Sequence, residues 1–139
     1  MATLHLDIVT PEGRIFSGDV ESVLLPGAEG ELGILPEHAP LLAQIQAGEL
    51  HYVQGGKTFE LAVGPGFAEV RPTDVSVLTD LAVREADIDE QKVQEALARA
   101  EEALRSRTLI GEELEATEAA LARATAQLRL KRRRTLSGP

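Results

Sequence analysis

The chain has 139 residues, 43% of them apolar, and a formal net charge of −9. That length suits one domain or a small domain with an appendage, and the apolar share excludes disorder throughout. With no cysteine present, disulfide scaffolds and thiolate metal sites are excluded, and no apolar run approaches the length of a membrane-spanning helix.

The first 84 residues read as strands. Leu4, Leu6 and Ile8 alternate with His5 and Asp7, the period of a half-buried strand. Short apolar runs follow at residues 20–25, 32–35, 41–45, 49–53, 58–63, 67–71 and 75–79. Turn chemistry separates them: Pro11-Glu12-Gly13, Gln54-Gly55-Gly56-Lys57, Gly64-Pro65-Gly66 and Pro72-Thr73-Asp74. The paired glycines suit a hairpin, where positive φ is needed. No helical window of ten residues occurs before Asp87. Eight to ten short strands in this span predict two packed antiparallel sheets, a sandwich or flattened barrel. Phe16, Phe59, Phe67 and Tyr52 are the only aromatics, so Leu, Val, Ile and Ala must fill the core.

The pattern changes at Ala86-Asp87-Ile88-Asp89. Asp89 is placed to cap a helix beginning near Gln91 and Lys92. Val93, Leu97, Ala100 and Leu104 follow at helical spacing, the run breaks at residues 108–111, and Leu114, Leu121 and Leu128 repeat every seven residues. Two amphipathic helices with a short turn predict an antiparallel hairpin. The predicted organisation is a β-sandwich over residues 1–84, a helical hairpin over 87–134 and a tail over 135–139. The hairpin seam is mostly alanine. A buried leucine is worth roughly 1.5–3 kcal/mol and alanine much less, so the hairpin should be weakly held. Opened into a rod it would reach about 65 Å at 1.5 Å per residue.

Charge is uneven. Residues 1–84 carry four basic and twelve acidic side chains, residues 85–118 four and eleven, and residues 119–139 six basic and none acidic. The basic tip comprises Arg123, Arg129, Lys131, Arg132, Arg133 and Arg134. Nucleic acid is a poor partner for so acidic a body with no aromatic platform, and an acidic protein segment fits the tip better. No basic segment leads into an apolar run at the N-terminus, so no secretory leader is expected.

Other residues were weighed as sites. His5, His38 and His51 lie on or near different strands with no metal-ligand spacing, and His5 and His51 read as solvent-facing strand residues. Glu31, Glu37 and His38 have no paired nucleophile, which argues against an enzyme. Gly27, Gly30 and Gly33 lie in strand-and-turn sequence and not before a helix, so they read as turns and bulges and not as a phosphate cradle.

The stretch GELGILPEHAPLL, residues 30–42, resembles the signature segment of the ε subunit family of F-type ATP synthases. FSGDVESV, residues 16–23, and GFAEVRPTDVSVLTDLA, residues 66–82, are similar to two further segments of that family. The resemblance covers the whole chain, in sandwich-then-hairpin order. It implies a rotor subunit of the central stalk, without catalysis of its own, that joins the γ subunit to the ring of c subunits at the cytoplasmic side of the membrane. It implies that Gly30, Glu31, Leu32, Gly33, Ile34, Leu35, Pro36, Glu37 and His38 form a contact loop for γ and the c-ring. It implies that the hairpin opens along γ toward the α and β subunits, where the six cations brake ATP hydrolysis. Membrane association is then indirect, through the complex. Some family members bind ATP through an Ile/Leu-Asp-x-x-Arg-Ala motif. Here Ile88 and Asp89 match it, but Lys92 and Val93 replace Arg and Ala. Lysine lacks the guanidinium fork, so ATP binding is expected to be weak or absent, and no cofactor is expected. The rival reading is a generic sandwich adaptor with a coiled-coil docking arm.

Overall fold

The computed structural model describes residues 2–137, with side chains as far as residue 133. Ten strands precede two helices: β1 Leu4–Thr10, β2 Gly13–Val20, β3 Ser22–Gly27, β4 Gly30–Ile34, β5 Leu41–Ile45, β6 Gly48–Gln54, β7 Lys57–Val63, β8 Gly66–Val70, β9 Asp74–Thr79 and β10 Ala82–Arg84. A 3-10 turn over Glu85–Asp87 leads into α1 Glu90–Ser106 and α2 Gly111–Ser137. Helix α2 thus carries on through residues 135–137, where a tail was expected, and residues 138–139 lie outside the described part.

The strands form one continuous hydrogen-bonded sheet in the order β10-β7-β6-β3-β5-β8-β9-β1-β2, with β4 paired to β3. A single residue pair, Gly27 with Ile45, joins β3 to β5. There the sheet folds over, and side chains from both halves share one core: Leu4, Leu6, Ile8, Val23, Leu25, Leu50, Leu61, Val70 and Val77 among others. The two layers of a sandwich are therefore halves of one sheet. All pairings are antiparallel among the described strands except β1 with β9, two strands too distant in sequence for a hairpin to set their direction. The runs expected near residues 20–25 divide at Glu21, because Val20 ends β2 and Ser22 opens β3.

Strand alternation decides what each outer face shows. On β6 and β7, Leu50, Leu61 and Val63 point into the core, and Glu49, His51, Glu60 and Ala62 point outward. Helix α2 lies across this outer face. The tight β3–β4 hairpin needs its glycines. Gly30 has φ +130, and a Cβ on Gly27 would strike the Gly30 carbonyl oxygen.

Asp89 caps α1, its carboxylate accepting a hydrogen bond from Lys92 N at 3.2 Å. Arg107 through Ile110 form the turn between the helices. With 27 residues against 17, α2 outruns α1 by about 15 Å at 1.5 Å per residue, and this overhang lies on the sandwich. The seat comprises Ala62, Ile88, Val93, Ala124, Leu128 and Leu130, with Val83 and Leu97 packed alongside. Leu130, 0% exposed, belongs to no heptad. It follows Ala126 by four residues and precedes Arg133 by three, a second stripe that faces the sheet.

Candidate functional site

The segment of residues 30–38 is part strand and part loop, and it serves two ends of the sandwich. Residues 30–34 are β4, paired to β3 from Gly27–Gly30 to Val23–Ile34. Ile34 is buried in the core, and Leu32 packs against it while only partly buried. Glu31 is exposed near the β3–β4 turn and lines a groove of about 750 Å³ between the sandwich and the arm, with Glu49, His51, Leu104, Leu121 and Arg129. At the other end of β4, Leu35, Pro36, Glu37 and His38 form the loop proper. Glu37 N donates to Pro72 O at 2.7 Å and His38 N to Leu35 O at 3.2 Å, which ties the loop to the β8–β9 turn. Glu37 holds φ +70, an uncommon conformation for a non-glycine residue. The His38 ring Nδ1 lies 2.7 Å from Ala39 O.

An apolar patch that the sequence pattern did not single out lies on β5, β8 and β9. Leu42, Phe67 and Leu78 are 70%, 53% and 56% exposed, and Leu35 is 65% exposed. Phe67 pairs directly with Leu78 and with Gln44, two residues from Leu42. The three side chains therefore share the outward face of β5, β8 and β9. The signal was present in the sequence: Leu41 and Leu42 are adjacent, so one of them has to face out of a strand.

Cations of the arm meet acids of the sandwich, of the 3-10 turn and of α1 itself. Arg123 Nη1 reaches Asp80 Oδ2 at 2.9 Å, Lys131 Nζ reaches Glu85 Oε1 at 3.3 Å, and Arg132 Nε reaches Glu90 Oε1 at 3.3 Å. Arg133 makes two short contacts, Nη1 to Glu49 Oε1 at 2.6 Å and Nη2 to Glu60 Oε2 at 2.7 Å. Partial burial works against its charge, but the hydrogen bonds and charges of Glu49 and Glu60 outweigh this and raise its pKa. Arg129 is exposed on the groove rim. The Arg134 side chain lies outside the described residues.

His51, expected on a solvent face, instead stands beneath the arm. Its Nε2 lies 3.1 Å from Glu49 Oε1. Glu49, His51 and Glu60 each offer a ligand atom within 4.8 Å of the others, a convergence that their sequence spacing hides because β6 and β7 meet across a hairpin. The Arg133 guanidinium already serves both carboxylates. His5, by contrast, is on the outer face of β1 beside Asp19 and Ser17. Asp89 acts as a helix cap, Ile88 is buried in the arm's seat, and the Lys92 side chain is exposed.

A folded-over β-sheet with an α-helical hairpin laid on one outer face defines the architectural class. Residues 3–85 match the ATP synthase, Delta/Epsilon chain, beta-sandwich domain, and residues 86–132 match the ATP synthase, Delta/Epsilon chain, long alpha-helix domain. The chain is 46% identical over 129 residues to the ATP synthase epsilon chain of Desulforamulus reducens, covering 93% of this chain and 96% of that one. It is 46% identical over 134 residues to the epsilon chain of Bordetella avium, covering 96% and 94%. It superimposes with a TM-score of 0.75 and 26% identity on a chain of the Euglena gracilis mitochondrial ATP synthase, determined with OSCP, F1 and c-ring, over 93% of this chain and 81% of that one. The chain belongs to the ATP synthase epsilon-chain family.

Proposed function

We propose that the protein is a non-catalytic rotor subunit that joins γ to the c-ring and restrains ATP hydrolysis with its arm. One observation carries this reading. The exposed apolar patch and the docked cationic arm occupy outer faces of opposite halves of the folded sheet. A rotor subunit must stay bound to its shaft while its regulatory arm moves, and two separate faces allow that.

The patch of Leu42, Phe67 and Leu78 suits γ, because a lasting subunit contact is built around an apolar centre. Glu31, at the turn end, suits the polar loops of the c-ring. Leu35, Pro36, Glu37 and His38 extend the γ contact at the other end. In this reading the sandwich of residues 1–84 is the seat and residues 87–134 are the arm. When extended along γ, the arm presents Arg123, Arg129, Lys131, Arg132, Arg133 and Arg134 to acidic segments of the α and β subunits. The site of action is the cytoplasmic side of the membrane, reached through the complex.

The test is reconstitution of the ATP synthase with all six cations replaced by glutamine. Hydrolysis should rise several-fold while the subunit still assembles through its sandwich. Unchanged inhibition would overturn the brake. Phe67→Ser with Leu78→Ser should weaken γ binding at least tenfold, since buried aromatic anchors carry about 2 kcal/mol or more. Undiminished binding would move the γ contact elsewhere.

A further inference from the structure

The arm's cations meet acids before they meet any partner, and one of these contacts differs from the rest. Among the described residues, Arg123 and Arg132 each meet one carboxylate, whereas Arg133 spans two, Glu49 on β6 and Glu60 on β7, at 2.6 and 2.7 Å. Both carboxylates are about four-fifths shielded from solvent. Screening by salt is weaker for partly buried pairs than for exposed ones, and charge-assisted contacts to a guanidinium are the stronger class. Position adds leverage. Arg133 lies in the overhang of α2 beyond the start of α1, one turn past the buried Leu130. A contact there holds the far end of the arm.

We infer that Arg133, closed on Glu49 and Glu60, is the clasp that keeps the arm folded, and that this clasp and the partner's acidic surface compete for the same guanidinium. In the folded arm the sandwich's carboxylates already engage the guanidinium, although about half of the side chain stays exposed. Release both frees the arm and leaves that charge for the partner to bind. The clasp itself is a property of the chain alone. The competition rests on the braking role proposed above, so the two parts are tested separately.

The first arm of the experiment uses the free full-length chain. Because no native cysteine is present, Lys57→Cys and Ala122→Cys place two spin labels, on exposed positions of β7 and α2. Arg133→Gln should shift the docked-to-undocked ratio by about tenfold, the change expected for roughly 1.4 kcal/mol. Reversing the charges, Arg133→Glu with Glu49→Lys and Glu60→Lys, should restore docking. Arg129→Gln should leave the ratio within about twofold, as an exposed rim cation contributes little. An unchanged distance distribution in Arg133→Gln overturns the clasp. So does undocking that charge reversal fails to rescue, because Arg133 would then act through its aliphatic stem.

The second arm uses the assembled enzyme and Glu49→Gln with Glu60→Gln, which opens the clasp without touching the arm's cations. Inhibition of hydrolysis should strengthen. If these variants undock in the free chain but leave hydrolysis unchanged, the clasp stands and the competition is wrong. If they neither undock nor inhibit, the clasp falls.

Discussion

On the outward face of β1, His5 Nδ1 lies 3.1 Å from Asp19 Oδ1, and its Nε2 lies 3.5 Å from Asp7 Oδ2. The hydrogen bond to Asp19 is the main cause of a raised imidazole pKa. Slight desolvation opposes it, and the charges of Asp7 and Asp19 add to it. A raised folded-state pKa stabilises the fold fully below the ordinary value of 6.5, and the stabilisation is lost as pH rises through the folded midpoint. NMR titration should therefore place the His5 midpoint above 6.5, and Asp19→Asn should move it down. A midpoint at or below 6.5 in the unmodified chain would contradict this geometry. The His5 environment was half legible in the sequence. Alternation put the residue outside, but Asp19 is brought opposite it by the β1–β2 register, which no single-strand pattern reveals. The same limit hid Glu49, His51 and Glu60, which converge only through the β6–β7 pairing.

Among the elements, α2 decides how firmly the arm is held. Its seven-residue leucine pattern was legible, but the seat was not. Leu114 and Leu121 are only half buried, whereas Leu128 and the unpatterned Leu130 are buried. A helix that touches two neighbours needs two stripes, and a heptad count registers only one of them. In the seat, Leu128, Leu130 and Ala124 of α2 meet Ile88, Val93 and Ala62, with Val83 and Leu97 alongside, and each fully buried leucine contributes roughly 1.5–3 kcal/mol. Leu130→Ala should cost the arm about 2–4 kcal/mol of docking and leave the sandwich melting transition nearly unchanged, because its core cluster does not include Leu130. Hydrogen exchange resolved along the chain would read this as lost protection in residues 111–133 alone. A uniform loss of protection across the strands would show that arm and sandwich are one cooperative unit. At the start of the hairpin the sequence was fully readable: Asp89 caps α1 as its type and position demand.

At the scale of the whole molecule, the sandwich-then-hairpin order, most strand positions and the charge division were readable, because hydrophobic period and turn chemistry are local; β2 and β10 fell outside the apolar runs. The folding-over of one sheet at Gly27–Ile45 and the parallel β1–β9 pair were not, because they join residues far apart in the chain. That folding-over puts the apolar patch on one half and the arm on the other. Strand β4 separates Glu31 from Leu35 and His38, so a segment that reads as one loop is split between opposite ends of the sandwich.

The central claim is that a rigid sandwich carries an arm able to leave it. Spin labels on Lys57→Cys and Ala122→Cys, both exposed, measure this directly when the doubly labelled chain is compared free and built into the ATP synthase. The free chain should give a distribution dominated by one short, docked distance. The assembled enzyme should add a second population tens of ångströms longer, within the reach of about 65 Å available to an opened helical arm. A single docked distance in every state would contradict the account.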